Sequence, residues 1–167
     1  MKTAHHRLFL KLLVVSLLVS TSLVHCSGSK KSVGITGSDM STMVNNKNFR
    51  FVAEQVNPLR GRSRQLTSEY DVLLKGDSLI SYLPYFGRAY QAPMNPSQGG
   101  IQFTSTNFSY SANLNKKGAW VVNIIPKDYQ DIQQFTFTIF ENGNAGLNVT
   151  STGKDPISFN GRIKKNK

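Results

Sequence analysis

From residue 49 onward the chain alternates apolar with polar residues in short runs, and tight turns separate the runs. A period of two residues is typical of β-strands that bury one face. The runs predict eight to ten strands, with no long helical period between them. Parallel strands need crossover connections of a dozen or more residues, which these turns are too short to provide. The sequence therefore predicts an all-β antiparallel meander.

A meander of this length has two edge strands, and exposed edges pair with other chains. Closure into a barrel removes the edges, and folding into two packed sheets protects them. We expect an up-and-down barrel of about eight strands over residues 47–164, with a β-sandwich as the alternative. The whole chain of 167 residues has room for one such domain.

The first 25 residues have the pattern of an export signal. Lys2 and Arg7 lie in a basic start, and an apolar run continues from Leu12 to Val24. A membrane-spanning helix is the alternative, but a span needs roughly 20 apolar residues. This run is shorter and is interrupted by Ser and Thr. We therefore expect residues 1–25 to be a signal peptide that is removed on export.

Cys26 is the only cysteine of the sequence and directly follows the apolar run. Its position resembles the lipobox of bacterial lipoproteins, whose cysteine carries a diacylglyceryl group and an acyl chain. His25 departs from that pattern, which favours Gly, Ala or Ser there. The alternative is an incidental thiol or one removed with the signal. Because more than one acyl chain makes a stable anchor, we expect the mature protein to be held at a membrane through Cys26.

Residues 26–46 are predicted to be a flexible tether that follows the lipidated cysteine. Ser, Gly, Lys and Thr dominate the stretch, and few large apolar residues occur in it. A short helix around Ser38–Asn46, capped by Ser38 or Asp39, is the alternative for its last part. The tether would hold the barrel away from the membrane.

The tetrapeptide Gly76-Asp77-Ser78-Leu79 matches the nucleophile motif of the GDSL hydrolases, yet the sequence argues against a catalytic serine. A serine hydroxyl needs a base, which in those enzymes is a histidine. His5, His6 and His25 are the only histidines, and all precede the expected cleavage point. Gly-Asp is also a turn dipeptide between two alternating runs. We expect Ser78 to lie in a β-hairpin, and we expect no catalytic residue, metal site or cofactor.

The chain is basic, with a formal net charge of +11. From Cys26 onward seventeen basic and nine acidic residues leave a charge of +8. In an exported protein such a charge favours attraction to anionic lipid headgroups or lipopolysaccharide over nucleic acid. No nucleic-acid partner is expected, and no oligomeric state is predicted.

Two short stretches are candidate contact sites for a ligand or partner. The first is a loop with three arginines in five residues, whose guanidinium groups favour an anion; a solvated positive loop is the alternative. The second is LPYFGRAY, residues 83–90, which combines aromatic residues with an arginine, the types that dominate recognition hot spots. Its alternative role is to plug one end of the barrel. The candidate contact residues are Arg60, Arg62, Arg64, Tyr85, Phe86, Arg88 and Tyr90.

The sequence contains the motifs Phe49-x-Phe51, Asn57 to Ser63, Leu66 to Tyr70, Lys75 to Leu79, Phe135 to Ile139, Asn142-Gly143 and Ile157 to Gly161. Together with LPYFGRAY, they resemble the domain-of-unknown-function family 4251 of exported Bacteroidota proteins. The resemblance covers residues 47 to about 164, and LPYFGRAY is its most specific part. It implies a lipocalin-like barrel in the cell envelope, often as a lipoprotein, and it implies no activity. Surface-exported lipoproteins of that phylum tend to carry acidic residues after the cysteine. Residues 27–31 have none, which favours an outer-membrane lipoprotein that faces the periplasm.

Three functional hypotheses follow. The first is noncatalytic binding of a small apolar ligand or lipid, in the barrel or at its mouth. The second is a structural or accessory envelope protein that contacts another protein or a polyanion, through the basic loop. The third is an enzyme, which would have to act through Ser78, Glu69 or Asp71 without a histidine base.

Overall fold

Nine antiparallel strands form a nearly closed, barrel-shaped sheet in the computed structural model, which describes residues 37–90 and 99–166. One short helix precedes them within these ranges. The predicted signal peptide and Cys26 lie outside the described residues. The elements are α1 (Gly37–Asn45), β1 (Asn48–Pro58), β2 (Arg64–Lys75), β3 (Ser78–Leu83), β4 (Ile101–Ser105), β5 (Phe108–Leu114), β6 (Trp120–Pro126), β7 (Ile132–Ile139), β8 (Asn144–Ser151) and β9 (Ile157–Lys164).

The sheet is an up-and-down meander that closes on itself. Its strand order is β4-β3-β2-β1-β9-β8-β7-β6-β5, so that the last strand pairs with the first. In that closing ladder Phe51 lies opposite Ile163, and Pro58 lies opposite Ile157. The predicted antiparallel barrel is thereby confirmed, and the sandwich alternative is not needed.

β4 and β5 are the two halves of one bent strand. All eight ladders are antiparallel, so the eight steps from β4 round to β5 leave these two strands running in the same direction. Only Thr106 and Asn107 separate them, so they are not a hairpin. β4 pairs with β3, and β5 pairs with β6. Together they fill one position in the barrel wall, which therefore has eight positions, as the sequence predicted.

A carboxylate fixes the bend between the two halves. Asp128, just after β6, accepts hydrogen bonds from the Ser105 hydroxyl and from the backbone N–H groups of Thr106 (2.9 Å) and Asn107 (3.1 Å). These bonds favour the charged carboxylate and hold the pKa of Asp128 below its ordinary value, the Ser105 bond contributing most. The turn after β6 thus holds the barrel wall together where its ladder is interrupted.

Inward-facing side chains fill the described interior of the barrel. Phe137 lies at the centre, with its ring centroid 5.7 Å from those of Phe49 and Phe51 in edge-to-face geometry. Aromatic pairs of this kind contribute about 0.5–1.5 kcal/mol beyond their buried area. An eight-stranded barrel is just wide enough for side chains or one small ligand, and here bulky side chains occupy it. The largest fully buried ones are Phe49, Phe51, Phe135, Phe137, Phe159, Met40, Leu74, Leu79, Leu83, Ile101, Ile124 and Ile139.

The alternating strands give the barrel two ends, which differ in how they are built. We call the end at which β1 and β3 finish the upper end, and the end at which α1 enters β1 the lower end. The upper end comprises the described segments 59–63, 84–90, 99–100, 127–131 and 152–156, together with the strand residues that directly adjoin them. The lower end comprises residues 37–47, 76–77, 115–119, 140–143 and 165–166, again with the adjoining strand residues.

The helix α1 packs into the lower end. Met40, Met43 and Val44 are buried, and their spacing places them on one helical face. The Tyr110 hydroxyl donates to the Val44 carbonyl oxygen at 2.7 Å, which ties the helix to β5. The last part of the segment predicted to be a tether is therefore helical, in agreement with the alternative prediction of a short helix around Ser38–Asn46. Two methionines and a valine outweigh the polar composition because they bury a continuous apolar face. No helix among the described residues is long and apolar enough to cross a bilayer.

Ser78 lies where the hairpin interpretation placed it. It opens β3 and pairs with Lys75 at the end of β2. Gly76 adopts a positive φ of 59° in the turn, which glycine tolerates best. Its N–H donates to the Lys47 carbonyl oxygen at 2.9 Å, so the turn also packs against the residues that follow α1.

Candidate functional site

The arginine loop and the LPYFGRAY segment, which the whole of β2 separates in sequence, line one open cleft at the upper end. We call it the upper cleft, and we call residues 84–90 the strap. The cleft has a volume of about 280 Å³. Pro58, Arg60, Gly61, Arg62, Arg64, Phe86 and Gly87 line it.

The loop between β1 and β2 presents its arginines because of its backbone. Gly61 adopts a φ of 113°, a conformation that other residues rarely take, and it turns the chain between Arg60 and Arg62. Arg64 begins β2, and its guanidinium carbon lies 5.0 Å from the ring centroid of Phe86. This cation–π contact holds Arg64 in place against the strap. Arg60 and Arg62 are exposed and make no ion pair within the described part of the chain.

The strap leaves β3 and is fixed by Tyr85. The Tyr85 hydroxyl lies 2.8 Å from the carbonyl oxygen of Arg88 and 3.1 Å from that of Asp155. Burial, followed by the nearby Asp155 carboxylate, raises the pKa of Tyr85. Gly87 makes room for this arrangement, because a Cβ there would lie 2.6 Å from the Tyr85 hydroxyl oxygen. The Lys154 ammonium covers the Tyr85 ring at 5.2 Å.

The far end of the strap pairs with the loop between β8 and β9. The Tyr90 N–H donates to the Gly153 carbonyl at 2.7 Å, and the Asp155 N–H donates to the Arg88 carbonyl at 3.0 Å. The Tyr90 hydroxyl donates to the Asp155 carboxylate, and this bond is the largest cause of the raised pKa of Tyr90. Arg60 and Arg88 act in the opposite direction on that pKa, so both cations lie near Tyr90. The strap therefore brings Arg88 to the arginine loop.

The charges on the barrel wall are paired with one another. Arg50 contacts Glu69 at 3.1 Å and also contacts Asp71, and Arg162 contacts Glu54 at 3.2 Å. The Asp71 hydrogen bond is the main cause that raises the pKa of Arg50. The remaining basic charge of the described residues lies at the two ends of the barrel.

At the upper end basic side chains outnumber acidic ones by six to three. Two of the three acids are already engaged, because Asp155 accepts from Tyr90 and Asp128 accepts from the bend in the barrel wall. The guanidinium groups around the cleft are therefore not neutralised by carboxylates within the described residues. The upper basic residues are Arg60, Arg62, Arg64, Arg88, Lys127 and Lys154, and the acids are Asp128, Asp131 and Asp155.

All seven contact residues named from the sequence lie at the upper end. Three arginines and Phe86 line the cleft, while Arg88 and Tyr90 lie beside it. Tyr85 and Phe86 also pack against the core, as the plug interpretation predicted. Sequence reasoning missed Lys154 and Asp155, because their partners on the strap are about 65 residues away and no local pattern marks the pairing. Among the described residues, no group of three or more His, Cys, Asp or Glu side chains is placed to hold a metal ion.

Comparison with known proteins agrees with this architecture. The family model described as "Domain of unknown function (DUF4251)" matches residues 36–163. The fold is similar to the crystal structure of a DUF4251 family protein from Bacteroides eggerthii DSM 20697, with a TM-score of 0.57 and 16% sequence identity. That match covers 79% of this chain and 89% of the other, and at this identity it concerns the fold alone. No curated protein sequence matches the chain. The resemblance seen in the sequence motifs is confirmed.

Proposed function

This chain belongs to the DUF4251 family, which is defined by a domain of unknown function, and we propose that it is a noncatalytic binding protein of the bacterial cell envelope that holds an anionic ligand in the upper cleft. The observation that carries the proposal is the grouping of Arg60, Arg62 and Arg64 with Phe86 around one open cleft. Exposed guanidinium groups without carboxylate partners are suited to phosphate or carboxylate oxygens, which they bind through two parallel hydrogen bonds.

The packing of the barrel supports a ligand at its mouth rather than inside it. Phe135, Phe137 and their neighbours occupy the described interior, whereas the upper cleft is open. The hypothesis of a small apolar ligand or lipid therefore becomes that of a ligand with both an acidic and an apolar part, bound at the mouth of the barrel. An acidic group of the ligand contacts the arginines, and an apolar part contacts Phe86 and Leu59, the latter 61% exposed.

Two features support a role without catalysis. Ser78 lies in a hairpin, and the sequence has no histidine after His25 to serve as its base. The acidic pair Glu69 and Asp71 is engaged by Arg50.

The proposed envelope location depends on the first 26 residues. Cleavage after residue 25 and lipidation of Cys26 would place the domain on the periplasmic face of the outer membrane. Labelled palmitate should enter the wild-type protein and not the Cys26→Ala variant when both are expressed in a lipoprotein-processing bacterium. Equal labelling of the two would overturn the anchor.

Titration calorimetry with inorganic polyphosphate and with polygalacturonate tests the cleft. The protein is the chain from Ser27 onward, which retains every described element. The double variant Arg60→Glu, Arg62→Glu should lose at least about tenfold in affinity, since it removes two charge-assisted contacts and adds two repulsive charges. The matched control Lys116→Glu, Lys117→Glu makes the same change of charge at the lower end. An equal loss in both variants would mean that net charge alone attracts the polyanion, and absence of binding in the wild type would refute the cleft as a site for such groups.

A second candidate is an accessory role in which the upper end contacts an acidic protein surface. Tyr90 is 67% exposed and Leu59 61% exposed, and both lie close to the arginines. Aromatic residues and arginine are the common anchors of protein interfaces. Native mass spectrometry of protein purified from the envelope separates the candidates, because a small-molecule adduct supports the first and a bare polypeptide that crosslinks to a protein through residues 59–64 supports the second.

A further inference from the structure

We propose that the lower end of the barrel docks on an anionic bilayer surface. In this arrangement Leu114 and Phe140 enter the headgroup region, and the lysines around them contact lipid phosphates. The proposal concerns the end of the molecule opposite to the upper cleft and does not depend on the function proposed for that cleft.

Two apolar side chains are exposed at the lower rim, one at the end of β5 and one directly after β7, with β6 between them. Leu114 is 60% exposed and Phe140 is 47% exposed. Leu114 pairs with Trp120, and Trp120 pairs with Ile139, the residue before Phe140. Trp120 itself is half-buried. Aliphatic and aromatic residues at the tips of adjacent turns are typical of proteins that insert shallowly into the bilayer interface.

The turn between β5 and β6 presents two lysines beside these residues. The side-chain oxygen of Asn115 accepts hydrogen bonds from the backbone N–H groups of Lys117 (2.9 Å) and Ala119 (3.0 Å). Gly118 completes the turn with a φ of 77°. The turn is thus held rigidly, and Lys116 and Lys117 extend from it. Neither lysine makes an ion pair within the described part of the chain.

The remaining charges at this end are also mainly basic. Lys165 pairs with Asp39 at 3.2 Å, and the Lys47 ammonium lies 5.5 Å from the ring centroid of Tyr110. Lysine suits a fluid anionic surface, because its long stem covers apolar groups while its ammonium reaches phosphates at many positions. The basic residues of the lower end are Lys47, Lys75, Lys116, Lys117, Lys164 and Lys165, and the acidic ones are Asp39, Asp77 and Glu141.

The course of the chain favours a bilayer as the occupant. The described domain begins with α1 at the lower end, so the preceding chain joins the barrel there. Cys26, the predicted site of lipidation, is eleven residues before Gly37, a distance that a chain spans with at most about 40 Å. An anchor at Cys26 therefore keeps the lower end near the membrane. Lys30 and Lys31 lie in the intervening sequence and add to its positive charge. Docking would turn the upper cleft away from the membrane.

Trp120 is a built-in reporter, because it is the only tryptophan of the chain. The chain from Ser27 onward, without its lipid, is mixed with vesicles of phosphatidylglycerol and phosphatidylcholine, or of phosphatidylcholine alone. Its fluorescence should shift to shorter wavelength with the anionic vesicles only, and acyl chains brominated near the headgroup should quench it. An unchanged spectrum and no quenching with anionic vesicles would overturn the proposal.

Cosedimentation with the same vesicles tests the residues. Each lysine near an anionic surface contributes about a fivefold change in binding, so Lys116→Glu, Lys117→Glu should weaken the partition by about 25-fold or more. Leu114→Ser, Phe140→Ser should weaken it while leaving its salt dependence unchanged. Leu114 and Phe140 are both exposed, and an unchanged thermal unfolding curve verifies the fold of this variant.

Arg60→Glu, Arg62→Glu is the matched control and should bind vesicles as before, even if it loses polyphosphate binding. Equal weakening by upper and lower charge reversals, or full binding by both lower variants, would refute a docking face at the lower end.

Discussion

At the upper end of the barrel six basic side chains accompany three acidic ones, and the same numbers recur at the lower end. The residue types differ, because four of the upper six are arginines whereas all of the lower six are lysines. The surroundings differ as well. The arginines border a cleft with Phe86, whereas Lys116 and Lys117 stand on a turn beside exposed Leu114.

The two ends are also closed in different ways. A helix with three buried apolar residues packs into the lower end. The strap lies at the upper end, and hydrogen bonds through Tyr85, Tyr90 and Asp155 hold it there. The upper cleft lies beside this polar closure, and three arginines line it. The comparison teaches that equal net charge supports different partners, and that donor geometry and the adjacent apolar groups distinguish them.

The largest effect is expected from the layer of aromatic residues between the two ends. Phe137→Ala should lower the free energy of unfolding by about 3–5 kcal/mol, because it leaves a cavity among Phe49, Phe51 and Phe135. Denaturant unfolding measures the loss. Phe140→Ala, on the exposed lower rim, is the control and should cost less than about 1 kcal/mol. The Phe137→Ala variant should lose polyanion binding and vesicle binding together. Loss of only one of these two activities would show that the two ends do not depend on the same core.

Exchanging residue types while keeping the charge tests the comparison directly. Arg60→Lys, Arg62→Lys should weaken polyphosphate binding by about tenfold, since lysine lacks the planar fork that binds an oxyanion through two bonds. Lys116→Arg, Lys117→Arg should change vesicle partition by less than about twofold, because charge dominates there. Calorimetry and cosedimentation provide the two readouts. If neither exchange changes binding, the choice between arginine and lysine does not distinguish the two ends.

The strap is tested by Gly87→Ala. The added methyl group would meet the Tyr85 hydroxyl and displace it from the Arg88 and Asp155 carbonyls. We expect a loss of about 1–2 kcal/mol in stability, weaker polyanion binding and unchanged vesicle binding. Gly99→Ala, also at the upper end, is the control, because an added Cβ there would have no atom of the described residues within 4 Å. Equal behaviour of the two variants would show that the strap does not depend on Tyr85.

The smallest effect concerns acid stability. Hydrogen bonds from Ser105, Thr106 and Asn107 lower the pKa of Asp128 in the folded state. A lowered pKa stabilises the fold above the unfolded value, near pH 4, and this contribution disappears as the pH falls through the folded value. Asp128→Asn should therefore lower the melting temperature at neutral pH and flatten its decline below about pH 4.

Asp77→Asn is the matched control for this pH series at the lower end. The Asp77 side chain makes no hydrogen bond or ion pair with the described residues, so the substitution should leave the melting curve nearly unchanged at each pH. Parallel curves for wild type and Asp128→Asn would contradict a role of the carboxylate at the bend.

Much of the site was visible in the sequence as two separate stretches. Arg60 to Arg64 and residues 83–90 were each recognisable from composition, because guanidinium and aromatic groups are the usual contact residues. Their union in one cleft was not, because it depends on β1 and β3 finishing at the same end of the barrel with only β2 between them. Lys154 and Asp155 were missed for the same reason. Their nearest neighbours in space are far away in sequence.

The amino-acid sequence by itself determined the strands and their antiparallel order, and it favoured a barrel over a sandwich. Alternation and turn residues such as Gly76 act locally, since successive side chains in a strand point to opposite faces. Only the tertiary structure decided that β4 and β5 are one bent strand, that α1 belongs to the domain, and that the arginine loop meets the strap. Each of these features depends on a contact between residues more than twenty positions apart in sequence: Asp128 with Ser105, Val44 with Tyr110, and Arg64 with Phe86. The energy of such contacts depends on the closed fold and has no local sequence pattern.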